Sequence, residues 1–399
     1  MQMFENILGW SYGVVALAIG LATAFLLKEL LPIKSSIGRN TAIDGLRGYL
    51  SFGVFMHHSV IWYFYIQTNQ WEVPPTSVYT NLGAICVSLF FMITGYLFFG
   101  KILCARERPI DWIYLYTSRI FRLTPLYLFV IIALSLLVGM LSGWTLHQPI
   151  MLFAKGIANW IAFSIIRAPD LNGISRTSLM TAGVTWTLAY EWLFYLSLPA
   201  LALLLRSKVS VLLAISCSSL IVFFVIYRVD PVFFPTSFIK GGIAAYIVRL
   251  PKVVFFLRKP ACSLVTIFIC LGSIGGLFSS TAASMFLAIA FFIIASGNTL
   301  FGILSNRAAI YLGDVSYGIY LIHGLLLFIT FVFVIGAPTA KLLSPMLYWF
   351  TIYGAAIVLV VISALTYRFI EAPAMTHVWR TANIVRLLLG RSVVDRVVT

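Results

Sequence analysis

The stretch Ile43 to His58, IDGLRGYLSFGVFMHH, concentrates the side chains of this sequence best able to do chemistry. An acid and a base, Asp44 and Arg47, open it, and the adjacent His57 and His58 close it after mostly apolar residues. On a helix, Arg47 and His58 lie about three turns apart along one face, Asp44 falls on the same side, and His57 is turned roughly 80° away. Polar groups along one face of an otherwise apolar helix line a cavity, because in hydrocarbon such groups are expensive and usually functional. The chemistry they fit is acyl transfer. A histidine titrating near neutrality, here His58, can take the proton of a hydroxyl as that hydroxyl attacks an acyl carbon, or can itself accept the acyl group transiently. A carboxylate beside it would orient the imidazole and stabilise its charged form, and Glu191, in TWTLAYEWLFYLSLP, is the candidate. Arg119 and Arg122, in RIFRLTPLY, share a helix face, and their guanidinium forks suit the phosphates of a polyphosphate donor, with Arg47 assisting. His323, in LGDVSYGIYLIHGLL, is a candidate second site.

Each of these residues has a plainer reading. His58 could do no more than hydrogen-bond a neighbouring helix, and His57 reads as structural. Arg119 and Arg122 would serve equally as snorkelling topology determinants. Asp314 stands where it would cap a following helix, and Glu371, just before Pro373, where the last apolar run ends. His147 and His377 fall in a loop and the tail, with no role assigned. Glu191 is the hardest to dismiss, since a carboxyl at membrane depth needs a partner.

The elements that must position these groups follow from composition. Of 399 residues, 61% are hydrophobic and only 10% charged, against about 25% in an ordinary soluble domain. The chain therefore reads as an all-α polytopic membrane protein. Apolar runs near residues 8–28, 43–66, 80–100, 120–141, 183–205, 209–227, 235–250, 261–278, 282–304, 308–335 and 345–368 predict eleven transmembrane helices, of which 235–250 is short. The first run carries no signal-peptide cleavage motif and reads as a retained anchor. Five cysteines (Cys86, Cys104, Cys217, Cys262 and Cys270) have no metal-ligand spacing and read as small core residues.

Charge orders the spans. Of 27 basic residues, 21 follow alternate runs and so share one side, among them Lys28, Lys34, Arg39, Arg106, Arg108, Arg206, Lys208, Arg380, Arg386, Arg391 and Arg396. By the positive-inside rule that side is cytoplasmic, which puts the N-terminus outside and the C-terminus inside. The net charge of +15 is thereby topological, and nucleic acid is an unnecessary partner. Residues 142–182 form an external excursion with the short apolar piece LFAKGIANWIAFSII. Residues 377–399 read as a basic amphipathic helix with its arginines toward lipid headgroups. Counting from the outer ends of their spans places His58 and Glu191 at similar depth, about 12 Å in. His323 falls near mid-membrane, while Asp44, Arg47, Arg119, Arg122, Asp314 and Glu371 lie at the cytoplasmic ends. Two polar layers result, a charged one inside and a titratable one deeper.

The segments IDGLRG…FMHH, SLFFMITGYLFF, SRIFRLTPLY, TWTLAYEWLFYL, LGDVSYGIYLIH and YRFIEAP resemble, in order, the motifs of the acyltransferase 3 family, bacterial integral-membrane O-acyltransferases that modify carbohydrates. The resemblance covers residues 43–373 and implies three parts. These are an extra N-terminal transmembrane helix and cytoplasmic linker (1–42), an acyltransferase-3-like helical bundle (43–373) and the basic cytoplasmic tail (374–399). It selects His58 over His57 as the family histidine, and maps the paired arginines onto Arg119 and Arg122, followed by Pro125 and Tyr127. It maps the glutamate block onto Trp186, Glu191, Phe194 and Tyr195, and a further block onto Tyr320 and His323. It implies acetyl-CoA, or another acyl-CoA, as a cytoplasmic donor substrate with no permanently bound cofactor and no metal. The implied acceptor is a hydroxyl of a cell-surface polysaccharide such as O-antigen or capsule, or of its lipid-linked precursor, at the bacterial inner membrane. Trp192 stands where a more polar residue is common, and the sequence carries no SGNH-type hydrolase domain after the membrane part. The rival reading is a multi-pass transporter of a glycan or organic anion, since buried charges also line permeation paths. Inverted repeats or paired broken helices would favour it, and neither is visible in the sequence.

Overall fold

The computed structural model describes residues 9–33, 38–105, 109–205, 209–227 and 235–393. Lys34, Arg106, Arg108, Arg206, Lys208 and Arg396, six of the charges behind the expected orientation, lie outside the described residues. The described chain is helical. In order come α1 (Trp10–Leu30), α2 (Thr41–Thr68), α3 (Ser77–Cys104), α4 (Trp112–Leu141), α5 (Ile150–Ile161), α6 (Trp186–Leu204), α7 (Val211–Tyr227) and α8 (Pro235–Ile247). They are followed by α9 (Pro251–Leu257), α10 (Pro260–Ile274), α11 (Ser280–Ala295), α12 (Arg307–Asp314), α13 (Ser316–Phe328), α14 (Pro345–Thr366) and α15 (Val378–Leu388). Helix occurs in each apolar run of the sequence, but the run 308–335 is broken into α12 and α13 at Val315, and in the run 282–304 helix α11 ends at Ala295.

Six stretches are long and apolar enough to cross a bilayer: Trp10–Leu30, Ser77–Cys104, Trp112–Leu141, Trp186–Leu204, Ser316–Val334 and Pro345–Leu388. The pair α9 and α10, bent by 68°, makes a seventh if taken as one broken span. The chain is thus a helical membrane protein. Helix α2 is long but falls outside that set, since it carries Asp44, Arg47, His57 and His58, and most of its residues are buried. It is the core helix rather than a lipid-facing one, packed against α3, α12 and α13. Its start is fixed by Asn40, whose side chain accepts from the Ala42 and Ile43 amides, and its end by Asn69 in the left-handed conformation (φ 59°).

The DGLRG turns of α2 lie backbone to backbone against their neighbours. A Cβ on Gly45 would stand 1.7 Å from the Leu304 carbonyl oxygen, and one on Gly313 1.9 Å from that of Asp44. Close approach of this kind needs small residues at the contact. It is what holds Asp44 and Arg47 in register with the end of α12.

Helix α1, the extra N-terminal helix, packs on α14, where the Tyr12 and Trp349 rings stack with centroids 5.5 Å apart. The segment 142–182 contains the short helix α5 and tight turns. It is tied to α4 by Tyr127, whose hydroxyl donates to the Trp160 carbonyl at 2.6 Å. Four cysteines sit buried or half-buried, in keeping with small core residues, but Cys104 is exposed. The tail departs further from expectation. Arg386 does not reach outward to headgroups: it is buried, pairs with Asp111 at the N-cap of α4, and lies over the Trp379 ring at 5.6 Å. An acid at the facing helix start offers a guanidinium a stronger partner than solvent does. Arg380 and Arg391 remain exposed.

Gly313→Ala is expected to cost about 1–3 kcal/mol of stability through overpacking. The melting temperature of the purified protein would fall, whereas Gly354→Ala, where no heavy atom lies within 4 Å of the added Cβ, would leave it unchanged or raised.

Candidate functional site

The sequence-predicted charges converge on one cavity of about 670 Å³. Helix α2 and the residues before it contribute Arg39, Asp44 and Arg47, α4 contributes Arg119 and Arg122, and α6 contributes Thr187, Leu188, Glu191 and Tyr195. The start of α13 adds Ser316, Tyr317 and Tyr320, with Asp314 just before it. The α6 residues recur at three- and four-residue steps, so a single stripe of that helix faces the cavity.

Two sets of pairs neutralise most of these charges. Arg39 bridges two acids, Nη2 to Asp44 Oδ1 at 2.7 Å and Nη1 to Asp314 Oδ1 at 2.7 Å. Burial works against the Arg39 charge, but the hydrogen bond and charge of Asp44 and the charge of Asp314 outweigh it and raise its pKa above the ordinary guanidinium value. Asp314 therefore does not cap the following helix, whose N-cap residue is Val315 with no side-chain cap bond. The fork geometry of Arg39 captures it instead. Arg122 lies 3.4 Å from Glu371, which is fully buried. Glu371 does more than end the last apolar run. A π-helical turn, Tyr367–Glu371, follows α14 and brings its carboxylate against α4. Such turns recur at functional positions.

Two guanidiniums remain without an ion pair among the described residues. Arg119 sits over the Phe98 ring at 5.3 Å and donates to Ser118 Oγ at 3.3 Å. Arg47 makes no hydrogen bond or salt bridge to a described residue. Glu191 accepts a hydrogen bond from the Tyr195 hydroxyl. Trp186, at the first turn of α6, packs on Phe91 and Tyr190.

The histidines form a second centre outside this cavity. His58 Nδ1 lies 3.1 Å from His323 Nε2, and their ring centroids are 5.0 Å apart. His57 is turned away, its Nδ1 2.7 Å from the Tyr79 carbonyl oxygen. The expected partnership of His58 with Glu191 is not the one formed. Similar depth does not imply a shared chamber, and the stripe of α6 that carries Glu191 faces the arginines. Tyr320 joins the two centres: it lines the cavity, bonds Thr187 Oγ1 at 2.8 Å, and its ring lies edge-on to His323 at 6.2 Å. Phe90, also in the lining, packs on Tyr320 at 5.9 Å.

Arg39, Glu371 and Tyr317 were not among the expected site residues. Tyr317 lines the cavity and donates to the Leu123 carbonyl at 2.8 Å. The signal available for Glu371 was Pro373, which lacks an amide hydrogen and so disturbs the helical register just where the π turn forms. Arg39 lies five residues before Asp44, outside the recognisable block, and reads in sequence only as a topology charge.

A helical membrane bundle thus encloses an arginine-rich cavity beside a histidine pair. The acyltransferase 3 family matches residues 40–366, the part described as its acyltransferase domain, and the chain belongs to that family of membrane acyltransferases. Helix α1 lies before the matched residues. No curated protein and no solved structure gives a match.

The buried Arg122–Glu371 pair generates a stability prediction. Removing one partner of such a pair leaves an uncompensated charge, worth about 3–5 kcal/mol, whereas neutralising both costs far less. Arg122→Ala should therefore lower the melting temperature much more than Arg119→Ala, and Glu371→Gln added to Arg122→Ala should recover most of the loss. Thermal melts of the four proteins check this.

Proposed function

We propose that this chain is an O-acyltransferase of the bacterial inner membrane. It moves an acetyl group from cytoplasmic acetyl-CoA to a hydroxyl of a cell-surface polysaccharide or its lipid-linked precursor. The observation that carries this reading is the pairing of the two centres. Two guanidiniums free of ion pairs, Arg47 and Arg119, face a cavity whose lining residue Tyr320 touches the His58–His323 pair. Unpaired guanidiniums in a concave, partly apolar site hold phosphate groups, so the donor's phosphates lie against Arg47 and Arg119. Arg122, already facing Glu371, and Arg39, already holding two acids, shape the cavity and balance its charge.

The topology belongs to the same proposal. Eleven spans, N-terminus outside and C-terminus inside, put the arginine ends of α2 and α4 at the cytoplasmic face. His58, 11 residues along α2 from Arg47, is then about 16 Å deeper, toward the side of the acceptor. In the reaction the acceptor hydroxyl oxygen attacks the thioester carbonyl and its proton passes to His58. As the new C–O bond forms, the C–S bond breaks, and the departing thiolate takes the proton back from the imidazolium. Membrane lipids surround the bundle and, for a lipid-linked acceptor, deliver it laterally.

Mass spectrometry of surface glycan from the wild-type, deletion and His58→Ala strains tests this reading. The expected result is loss of the increment of acetyl for hydrogen in both mutants, with His58→Ala present at normal levels in the membrane. In purified protein, loss of a general base of this kind lowers kcat by about 10²–10⁴-fold. Full glycan acylation in a normally expressed His58→Ala strain would contradict the mechanism. An unchanged glycan in the deletion strain would remove the acceptor class.

A further inference from the structure

The histidine pair has a direction. His58 Nδ1 stands 3.1 Å from the Val54 carbonyl oxygen and 3.1 Å from His323 Nε2, while His323 Nδ1 stands 3.1 Å from the Ile319 carbonyl oxygen. Each ring thus presents Nδ1 to the carbonyl one turn back on its own helix. A carbonyl only accepts, so in the neutral pair both Nδ1 atoms carry the hydrogen. His323 Nε2 is then left with a lone pair, and it faces the Nδ1–H of His58. The opposite assignment would aim two nitrogen lone pairs at two carbonyl oxygens. The protons are placed by the acceptors around them.

His58 Nε2 is the one ring atom of the pair left over. It has no hydrogen bond to a described residue, and it is not among the buried polar atoms left without a partner, so it is open to a ligand or water.

We propose that His323 is a positioning residue: sharing the Nδ1–H of His58 with the Val54 carbonyl, it helps to fix the tautomer in which Nε2 of His58 is free to take the proton of the acceptor hydroxyl. The catalytic part of this rests on the acyl-transfer reading, whereas the tautomer does not. The role is the one a carboxylate plays in a triad, filled here by a neutral ring. The surroundings explain the substitution. His323 is fully buried, and an ionised carboxylate there would need a compensating charge, while a neutral imidazole needs only the hydrogen bonds it already has. The other rings around His58 do not compete: His57 is edge-on at 4.8 Å with its own Nδ1 tied to Tyr79, and Trp71, from the α2–α3 connection, lies nearly parallel at 6.3 Å. Glu191 bonds Tyr195 and faces the arginine cavity.

The chain has five histidines, few enough for direct observation. Nitrogen-15 NMR of protein labelled at histidine, in lipid nanodiscs, reports which ring nitrogen carries the hydrogen, with His58 assigned by the signals missing from His58→Gln. The expected wild-type result is neutral His58 protonated at Nδ1. In His323→Leu a population protonated at Nε2 should emerge, and kcat should fall roughly ten- to a hundredfold, the loss of about one hydrogen bond to a charged group, with KM for acetyl-CoA unchanged. His323→Gln, whose side-chain oxygen comes near the position of Nε2, should restore both the Nδ1–H form and most of the rate. Neutral wild-type His58 protonated at Nε2 would overturn the proposal without recourse to any variant. A tautomer unmoved by His323→Leu would do the same. The expected tautomers together with full acylation by His58→Gln would instead sink the acyl-transfer reading and leave the assignment of the hydrogens standing.

Discussion

A charge carried into an apolar helical bundle costs several kcal/mol unless another group compensates it, and the charged end of this bundle is arranged around that cost. Arg39 spans Asp44 and Asp314, Arg122 faces Glu371, and Arg386 meets Asp111. Apart from Arg39–Asp44, the pairs join segments far apart in the chain, so they also fix which helices are neighbours. Arg39 ties the entry of α2 to the end of α12, Arg122 ties α4 to the turn after α14, and Arg386 folds the tail back onto the start of α4. Charge compensation and helix packing are the same constraint here, seen from side chain and backbone. The close contacts at Gly45 and Gly313 are its backbone half.

Within that compensated framework, two guanidiniums stay without an ion pair among the described residues. These, Arg47 and Arg119, line the cavity, and a cavity that holds two such groups is stable only if water or an anionic ligand solvates them. Deeper along α2 the logic changes from charge to hydrogen bonding. The two histidines satisfy one another and two helical carbonyls, and a neutral pair can occupy an interior where an ion pair would be costly. One helix carries both Arg47 and His58, so the arginine cavity and the histidine pair are held in fixed register along α2.

The helices were legible in the sequence because a bilayer demands long apolar runs, and helix occurs in each run. The run 308–335 nevertheless breaks at Val315, and among the described residues six or seven stretches long and apolar enough to cross stand where eleven spans were expected. The convergence of Asp44, Arg47, Arg119 and Arg122 was legible as well, since helical periodicity puts them on shared faces and the family motifs mark them. Partner choice was not legible. Counting residues from the ends of spans gives depth but no rotation about the helix axis, so Glu191 was expected beside His58, whereas its stripe on α6 faces the arginines. Glu371 meets Arg122 through a π turn that no periodicity reports, and the arginines of the tail gave no sign of which one would fold inward. His323 was recognisable as a candidate but not as the partner of His58, because a contact between residues 265 apart is set by packing, not by local pattern.

In the proposed function the arginines without ion pairs hold the donor and the histidines act on it. The most direct measurement is equilibrium binding of acetyl-CoA to the purified protein, by calorimetry, for the wild type, the Arg47→Ala/Arg119→Ala double variant and His58→Ala. The double variant should lose affinity by roughly a hundredfold or more, as expected when two charge-assisted contacts are removed. His58→Ala should bind as the wild type does. Equal affinity in the wild type and the double variant would contradict the proposed function, because the donor would then be held somewhere other than this cavity.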